Sequence, residues 1–174
     1  MKLKKHLRSL PVALVALVVL GSVAGMAQKR FSIIRSFARP EVKVMLSGSV
    51  ERDKKNLSLD ENVTVKSGEI MNWTITSMNE GNAPARDYKA VGVIPPGTQI
   101  VAGSVSADGS AKVTYSIDHG KSFSAQPTVD EKQADGSTKK VPAPTSMYTQ
   151  IRYEWADPLN EGARLSAFYK VRLN

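Results

Sequence analysis

The chain has 174 residues, of which 41% are hydrophobic, 23% charged and 6% aromatic. That is enough for one domain with a real core and too little for two large ones, and it excludes a wholly disordered chain, a collagen and a multi-span membrane protein. There is no cysteine, and the two histidines are His6 and His119, which excludes disulfides, thiolate metal sites, a cysteine nucleophile, a lipid-bearing cysteine and a histidine-rich metal centre.

The formal net charge is +8. Half of it belongs to residues 1–27, which hold Lys2, Lys4, Lys5 and Arg8 and no acid. The 20 basic and 16 acidic residues that remain leave only a mild bias. The basic residues after Arg39 are scattered and are not interleaved with aromatics, so nucleic acid is not an expected partner.

Residues 1–27 read as a secretory signal peptide. Lys2 to Arg8 form a basic start, Leu10 to Leu20 an apolar stretch, and the small residues Gly21, Ser22, Ala24, Gly25 and Ala27 offer cleavage after Ala24 or Ala27. An uncleaved anchor competes, because the uncharged run over residues 9–28 has about the length of a spanning helix. Lys29, Arg30, Arg35 and Arg39 lie beyond it and blur the positive-inside signal. Residues 28–40 form a basic linker in which Phe31, Ile34 and Phe37 fall at helical spacing, ending at Pro40. The expected location is therefore the periplasm, the cell surface or the medium. With the N-terminal helix retained, the chain is tethered to a membrane by residues 9–28. No Leu-Pro-x-Thr-Gly sorting signal occurs, so covalent wall attachment is not expected.

From Glu41 onward the hydrophobic period changes to two. Val42, Val44, Leu46 and Val50 alternate with Lys43, Ser47 and Ser49, which predicts a strand with one buried face. A polar stretch covers Glu51 to Asn56, and Lys66-Ser67-Gly68-Glu69 turns into a strand whose Trp73, Ile75 and Ser77 share a face. Asn79 to Pro84 is a turn cluster, residues 86–94 a strand stopped by Pro95-Pro96-Gly97, and residues 98–106 the next strand. Gly81 and Gly97 are expected at turn positions of positive φ. Asp108-Gly109 and His119-Gly120 flank a short strand over Lys112 to Ile117. Residues 124–144 read as a long polar loop. Met147, Thr149, Ile151, Tyr153 and Trp155 then share one face, as do Leu165, Ala167, Tyr169, Val171 and Leu173 in the last strand. No helix is expected after residue 40. Seven or eight antiparallel strands in residues 41–174 predict an all-β, immunoglobulin-like sandwich held by packing alone.

Three runs of this sequence resemble a known family. The first is Gly68-Glu69, Trp73-Thr74-Ile75-Thr76, Asn79, Gly81-Asn82-Ala83-Pro84-Ala85 and Pro95-Pro96-Gly97-Thr98. The second is Tyr115-Ser116-Ile117-Asp118-His119-Gly120-Lys121-Ser122-Phe123. The third is Ile151-Arg152-Tyr153 with Asp157-Pro158-Leu159 and Gly162. In this order they resemble the conserved immunoglobulin-like repeat of prokaryotic surface proteins catalogued as domain of unknown function eleven. The likeness covers roughly residues 60–174. It implies a scaffold at a prokaryotic cell surface. The chain departs from the family pattern at Gly92, near where an Asp is usual, at Ile94-Pro95 in place of Leu-Pro, and in holding a single copy.

Chemistry is sparse in the sequence. A Ser-His-Asp triad would need His119, which lies in a turn signal. No spacing singles out a carboxylate pair. A calcium site could draw on Asp108, Asp118 or Asp135, but no EF-hand run is present. Sequons occur at Asn56, Asn62 and Asn72. Trp73, Tyr153, Trp155 and Tyr169 could line a sugar platform but share the inward parity of their strands. No catalytic, cofactor-binding or metal-binding residue is assigned, and no cofactor is expected. The expected role is structural or interactive, through a strand edge or through the 124–144 segment. The expected partner is a protein or a second copy, and the alternatives are a carbohydrate- or polymer-binding module and a self-assembling surface subunit.

Overall fold

The computed structural model describes residues 38–53, 55–59 and 63–174. The signal peptide, the anchor over 9–28 and the 28–37 part of the linker lie outside the described residues, as does the sequon at Asn62. The chain divides between Ala38 and Arg39, and the unit Arg39–Asn174 carries the fold that follows. No helix among the described residues is long and apolar enough to cross a membrane.

The described chain is nearly all β, with every strand pair antiparallel. The larger sheet has the order β2 (Lys55–Ser58), β1 (Val42–Arg52), β3 (Ile70–Asn79), β11 (Arg164–Leu173) and β5 (Thr98–Ile100), with β6 (Ser106–Ala107) also paired to β11. A three-stranded sheet holds β4 (Lys89–Val93), β10 (Gln150–Trp155) and β7 (Ala111–Ser116). The strands β8 (Thr128–Lys132) and β9 (Thr138–Pro142) form a separate hairpin.

The two larger sheets feed one core. Met71, Ile75, Ala167, Tyr169 and Val171 come from the first and Ala90, Ile151, Tyr153 and Trp155 from the second. In β11, and in β10 from Ile151 to Trp155, the expected alternation holds, because one face of each strand meets the core. The expected face does not extend back to Met147, which lies in a short 3-10 turn over Thr145–Met147 and is exposed. The phenols also cross between sheets. Tyr153 donates to the Phe168 carbonyl at 2.9 Å, and Tyr169 donates to the Val93 carbonyl at 2.8 Å. Tyr88 reaches Ser77 Oγ at 2.7 Å, and Trp155 Nε1 reaches the Asp108 carbonyl at 2.8 Å. These four rings thus bring their polar tips to partners, whereas the buried Trp73 Nε1 has no hydrogen-bond partner among the described residues.

Among the described residues eleven strands are present where seven or eight were expected. The polar stretch after residue 50 continues β1 to Arg52 and returns as β2, around Asp53 at φ 50°. The strand expected over 98–106 breaks into β5 and β6 at a turn containing Gly103 at φ 71°. Residues 124–144 are an ordered hairpin and not a loop. Asp130 faces Lys140 and Glu131 faces Lys139 across it, and Ala143 N–H donates to the Pro127 carbonyl at its base, 2.8 Å. Apart from the facing pair Val129 and Val141 these strands are polar, so opposite charges and backbone pairing dominate and no period-two signal marks them.

The glycines divide by cause. Gly97 has φ 77°, as expected of its turn. Gly81 does not need a positive φ. Instead the backbone of Arg39–Glu41 passes so close that any Cβ would overlap it. Gly92 makes room for a ring, since a Cβ there would sit 2.7 Å from Tyr169 Cε1. An Asp at this position would displace the Tyr169 ring.

A surface fork closes the approach to β3. Arg52 Nε and Nη2 donate to the two Glu69 carboxylate oxygens at 2.6 and 2.7 Å, and Lys66 N–H donates to the same carboxylate at 2.7 Å. The Arg52 guanidinium, then the Lys66 amide, hold Glu69 well below its ordinary value of 4.5, at about 2. A depressed carboxylate contributes stability that is complete above its unfolded value and lost as pH falls through the folded one. Stability should therefore decline between about pH 4.5 and about pH 2. In Arg52→Gln that decline should be shallower, which urea midpoints measured at neutral pH and near pH 3 would show.

Candidate functional site

The most unusual feature is the first half of β1. Glu80 N–H donates to the Glu41 carbonyl at 2.8 Å, which sets the odd-numbered residues of β1 towards β3. By the alternation of an antiparallel ladder, Val42, Val44 and Leu46 then aim their N–H and C=O groups at the opposite edge. From Gly48 onward that edge is taken. Leu59 N–H donates to the Gly48 carbonyl at 2.9 Å, and Ser49–Arg52 pair with β2. From Val42 to Leu46 no strand among the described residues pairs with it.

The side chains there are apolar and open. Val44, Leu46 and Val50 share one face of β1, yet Val50 is 0% exposed while Val44 is 59% and Leu46 53% exposed. Met45, on the other face, is 63% exposed. The expectation of one buried face thus holds at Val50 and fails at Val44 and Leu46. Parity places them on the core side, but the three-stranded sheet does not cover them. The edge is lightly protected, since this segment has no proline and a single charge. Its one charge, Lys43, is ion-paired with Glu80, whose carboxylate raises the Lys43 pKa.

The β4 edge differs. Val91 and Val93 are exposed there, but the Val93 carbonyl already accepts the Tyr169 hydroxyl.

The sequence candidates fall apart from one another. His119 is an exposed turn residue at φ 59° whose N–H donates to Thr149 Oγ1 at 3.1 Å. Asp118 accepts Ser116 Oγ at 2.7 Å, Ser122 N–H at 2.9 Å and the Ser122 hydroxyl. Those donors, the Ser122 hydroxyl first, hold its carboxyl below the usual range. It staples a turn and is a poor base. Asp108 accepts Ser166 N–H at 2.8 Å, and Asp135 accepts Ser137 N–H at 2.9 Å. Among the described residues no three His, Asp or Glu side chains cluster to hold a metal.

Tyr153, Trp155 and Tyr169 are buried, and Trp73 packs against the same core over Gly48. Phe168 is the one aromatic more than a third exposed among the described residues. It lies beside a shallow depression of about 400 Å³ on the outer face of the larger sheet, lined also by Ser49, Asn72, Thr74 and Lys170. The row of exposed rings that would grip a polymer is not present among the described residues. Of the sequons, Asn56 is exposed on β2 and Asn72 lies within β3.

Comparison with known proteins finds no family model, curated protein or solved structure that matches the chain.

Sequence reasoning missed the open ledge because period-two alternation reports parity and not coverage. The available signal was Met45, an apolar residue on the parity that should face water.

Proposed function

We propose that this chain is an exported, non-catalytic interaction module of the cell envelope that binds by accepting a strand at the β1 edge. The observation that carries the reading is the stretch from Val42 to Leu46, whose outward backbone groups no strand among the described residues pairs and whose apolar side chains are exposed. Such an edge is a template for another strand: main-chain bonds supply affinity and alternate side chains supply specificity. The wider assignment is an immunoglobulin-like β-sandwich at a prokaryotic cell surface, akin to domain of unknown function eleven. It is supported by two antiparallel sheets around one core and by the three sequence runs given above. The connectivity has a feature of its own: the last strand, β11, lies beside β3, whereas antibody domains set theirs beside the preceding strand. Export rests on the signal-like residues 1–27, and a mature N-terminus near Gly25 or Gln28 is the expected result of sequencing the native protein.

The test is Val44→Lys in the full chain. The site is exposed, so the unfolding midpoint should move by no more than about 0.5 kcal/mol equivalent. On native gels of fractionated cells the wild type should run in a complex larger than a single mature chain. The variant should run free of it. A complex that survives the substitution overturns the edge reading.

A further inference from the structure

The open edge is self-complementary, and the geometry points to a second copy of this chain as its occupant, paired β1 to β1 about a two-fold axis through Val44. The inference rests on the edge reading above and names the partner. Three residues carry outward-facing backbone groups: Val42, Val44 and Leu46. The stretch is bounded on both sides. Leu59 occupies the edge at Gly48, and the next outward position at the other end is Pro40, which has no N–H to donate. Val44 is therefore its centre.

An antiparallel pairing that uses all three residues has one register: Val44 opposite Val44 of the other copy, and Val42 opposite Leu46. Each such pair exchanges two hydrogen bonds. The pairing is isologous and closes at two copies, because the same patch is used on both.

The side chains agree with this register. Val44 and Leu46 lie on one face of β1, so in the pair the valines and leucines of both copies cover one another. Lys43 falls opposite Met45, and Glu41 opposite Ser47, so no like charges meet directly. Centring the axis one residue earlier would set Lys43 against its own copy and leave Leu46 opposite Pro40. A later centre would drive Val42 against the capped Gly48. Lys43 is also ion-paired with Glu80 in each copy.

The absence of native cysteine makes the register testable by single introduced thiols in the full chain. Paired positions of this kind lie about 5.5 Å apart at Cα, within disulfide range. Val44→Cys should therefore form a disulfide-linked dimer under mild oxidation, several-fold faster than two controls of similar exposure. The controls are Met45→Cys, whose own copy lies on a diagonal about 7–8 Å away, and Val91→Cys on β4. A rate for Val44→Cys no higher than the controls overturns the inference, as does cross-linking strongest at Met45. If Val44→Cys stays monomeric while Val44→Lys still dissolves the native complex, self-pairing fails and the edge reading stands with another strand as partner. If neither change has an effect, both fail.

Discussion

Replacing Asn79 with alanine is expected to cost about 3–5 kcal/mol of folding stability, among the largest effects of any single polar truncation in this chain. Asn79 is 0% exposed and uses its whole amide. Nδ2 donates to the Ala83 carbonyl at 2.7 Å and to the Leu159 carbonyl at 2.9 Å. Oδ1 accepts the N–H groups of Glu41 and Gly81, each at 3.1 Å. One side chain thus closes its own turn, fastens the start of β1 and ties in a loop 80 residues further along the chain. Alanine would leave the Glu41 and Gly81 N–H groups and the Ala83 carbonyl without their partner, while the Leu159 carbonyl keeps the Ala85 N–H at 2.9 Å. The cost is the desolvation of the abandoned groups more than the loss of four average bonds.

Urea unfolding should show a lower midpoint with an unchanged slope. Asn79→Asp should be no milder at neutral pH, because a carboxylate oxygen would face two carbonyls, and it should recover in part as the acid protonates. A midpoint shift below about 1 kcal/mol equivalent in Asn79→Ala would show that the turn holds without the amide.

Asn79 also shows how far the sequence could be read. The cluster over Asn79 to Pro84 identified a turn, and an Asn in a turn bonds its neighbours. Nothing local points to Leu159, because that bond depends on where the fold returns the chain. Gly81 repeats the lesson: a glycine in a turn suggests positive φ, but its real constraint is the backbone of Arg39–Glu41 lying against it. Strand β11 and the Ile151–Trp155 run of β10 were legible, since a strand with one face on the core must alternate, whereas the same parity ran on to Met147, which the chain places in a 3-10 turn. The β8–β9 hairpin was not, because it is mostly polar and exposed, with only the facing Val129 and Val141 half-buried, and the rest of its pairing is written in opposed charges. The candidate site lay between these cases. The parity of Val44 and Leu46 was readable, while their exposure depends on how far the opposite sheet extends. A periodicity cannot carry that information. For the same reason Val44 and Leu46, not a catalytic constellation, are where sequence and structure disagree in a way that suggests use.

The second large effect is expected at the pair Tyr153 and Tyr169. Both rings are buried, and their hydroxyls cross the core in opposite directions, to the Phe168 and Val93 carbonyls. Tyr153→Ala should cost about 3–5 kcal/mol through the cavity it leaves, as large aromatic truncations do. Tyr153→Phe keeps the ring and should cost about 1–3 kcal/mol, the part that belongs to the hydroxyl and its abandoned carbonyl. The same pair governs behaviour in alkali. Burial pushes the Tyr169 phenol up from its ordinary value of 10.0 to about 12. It raises Tyr153 too, with the neighbouring Tyr169 and Tyr115 phenols adding to the effect. A raised folded value means that the stabilisation is complete below the unfolded value and is lost as pH climbs through the folded one. Wild-type stability should thus fall between about pH 10 and about pH 12. The double variant Tyr153→Phe/Tyr169→Phe should start lower at neutral pH and fall less steeply over that interval, because its core holds no phenol at these two positions to ionise. Parallel curves for the two proteins would show that these hydroxyls do not control the alkaline limit and that other groups set it, among them the Tyr115 phenol, raised by burial, and Lys43.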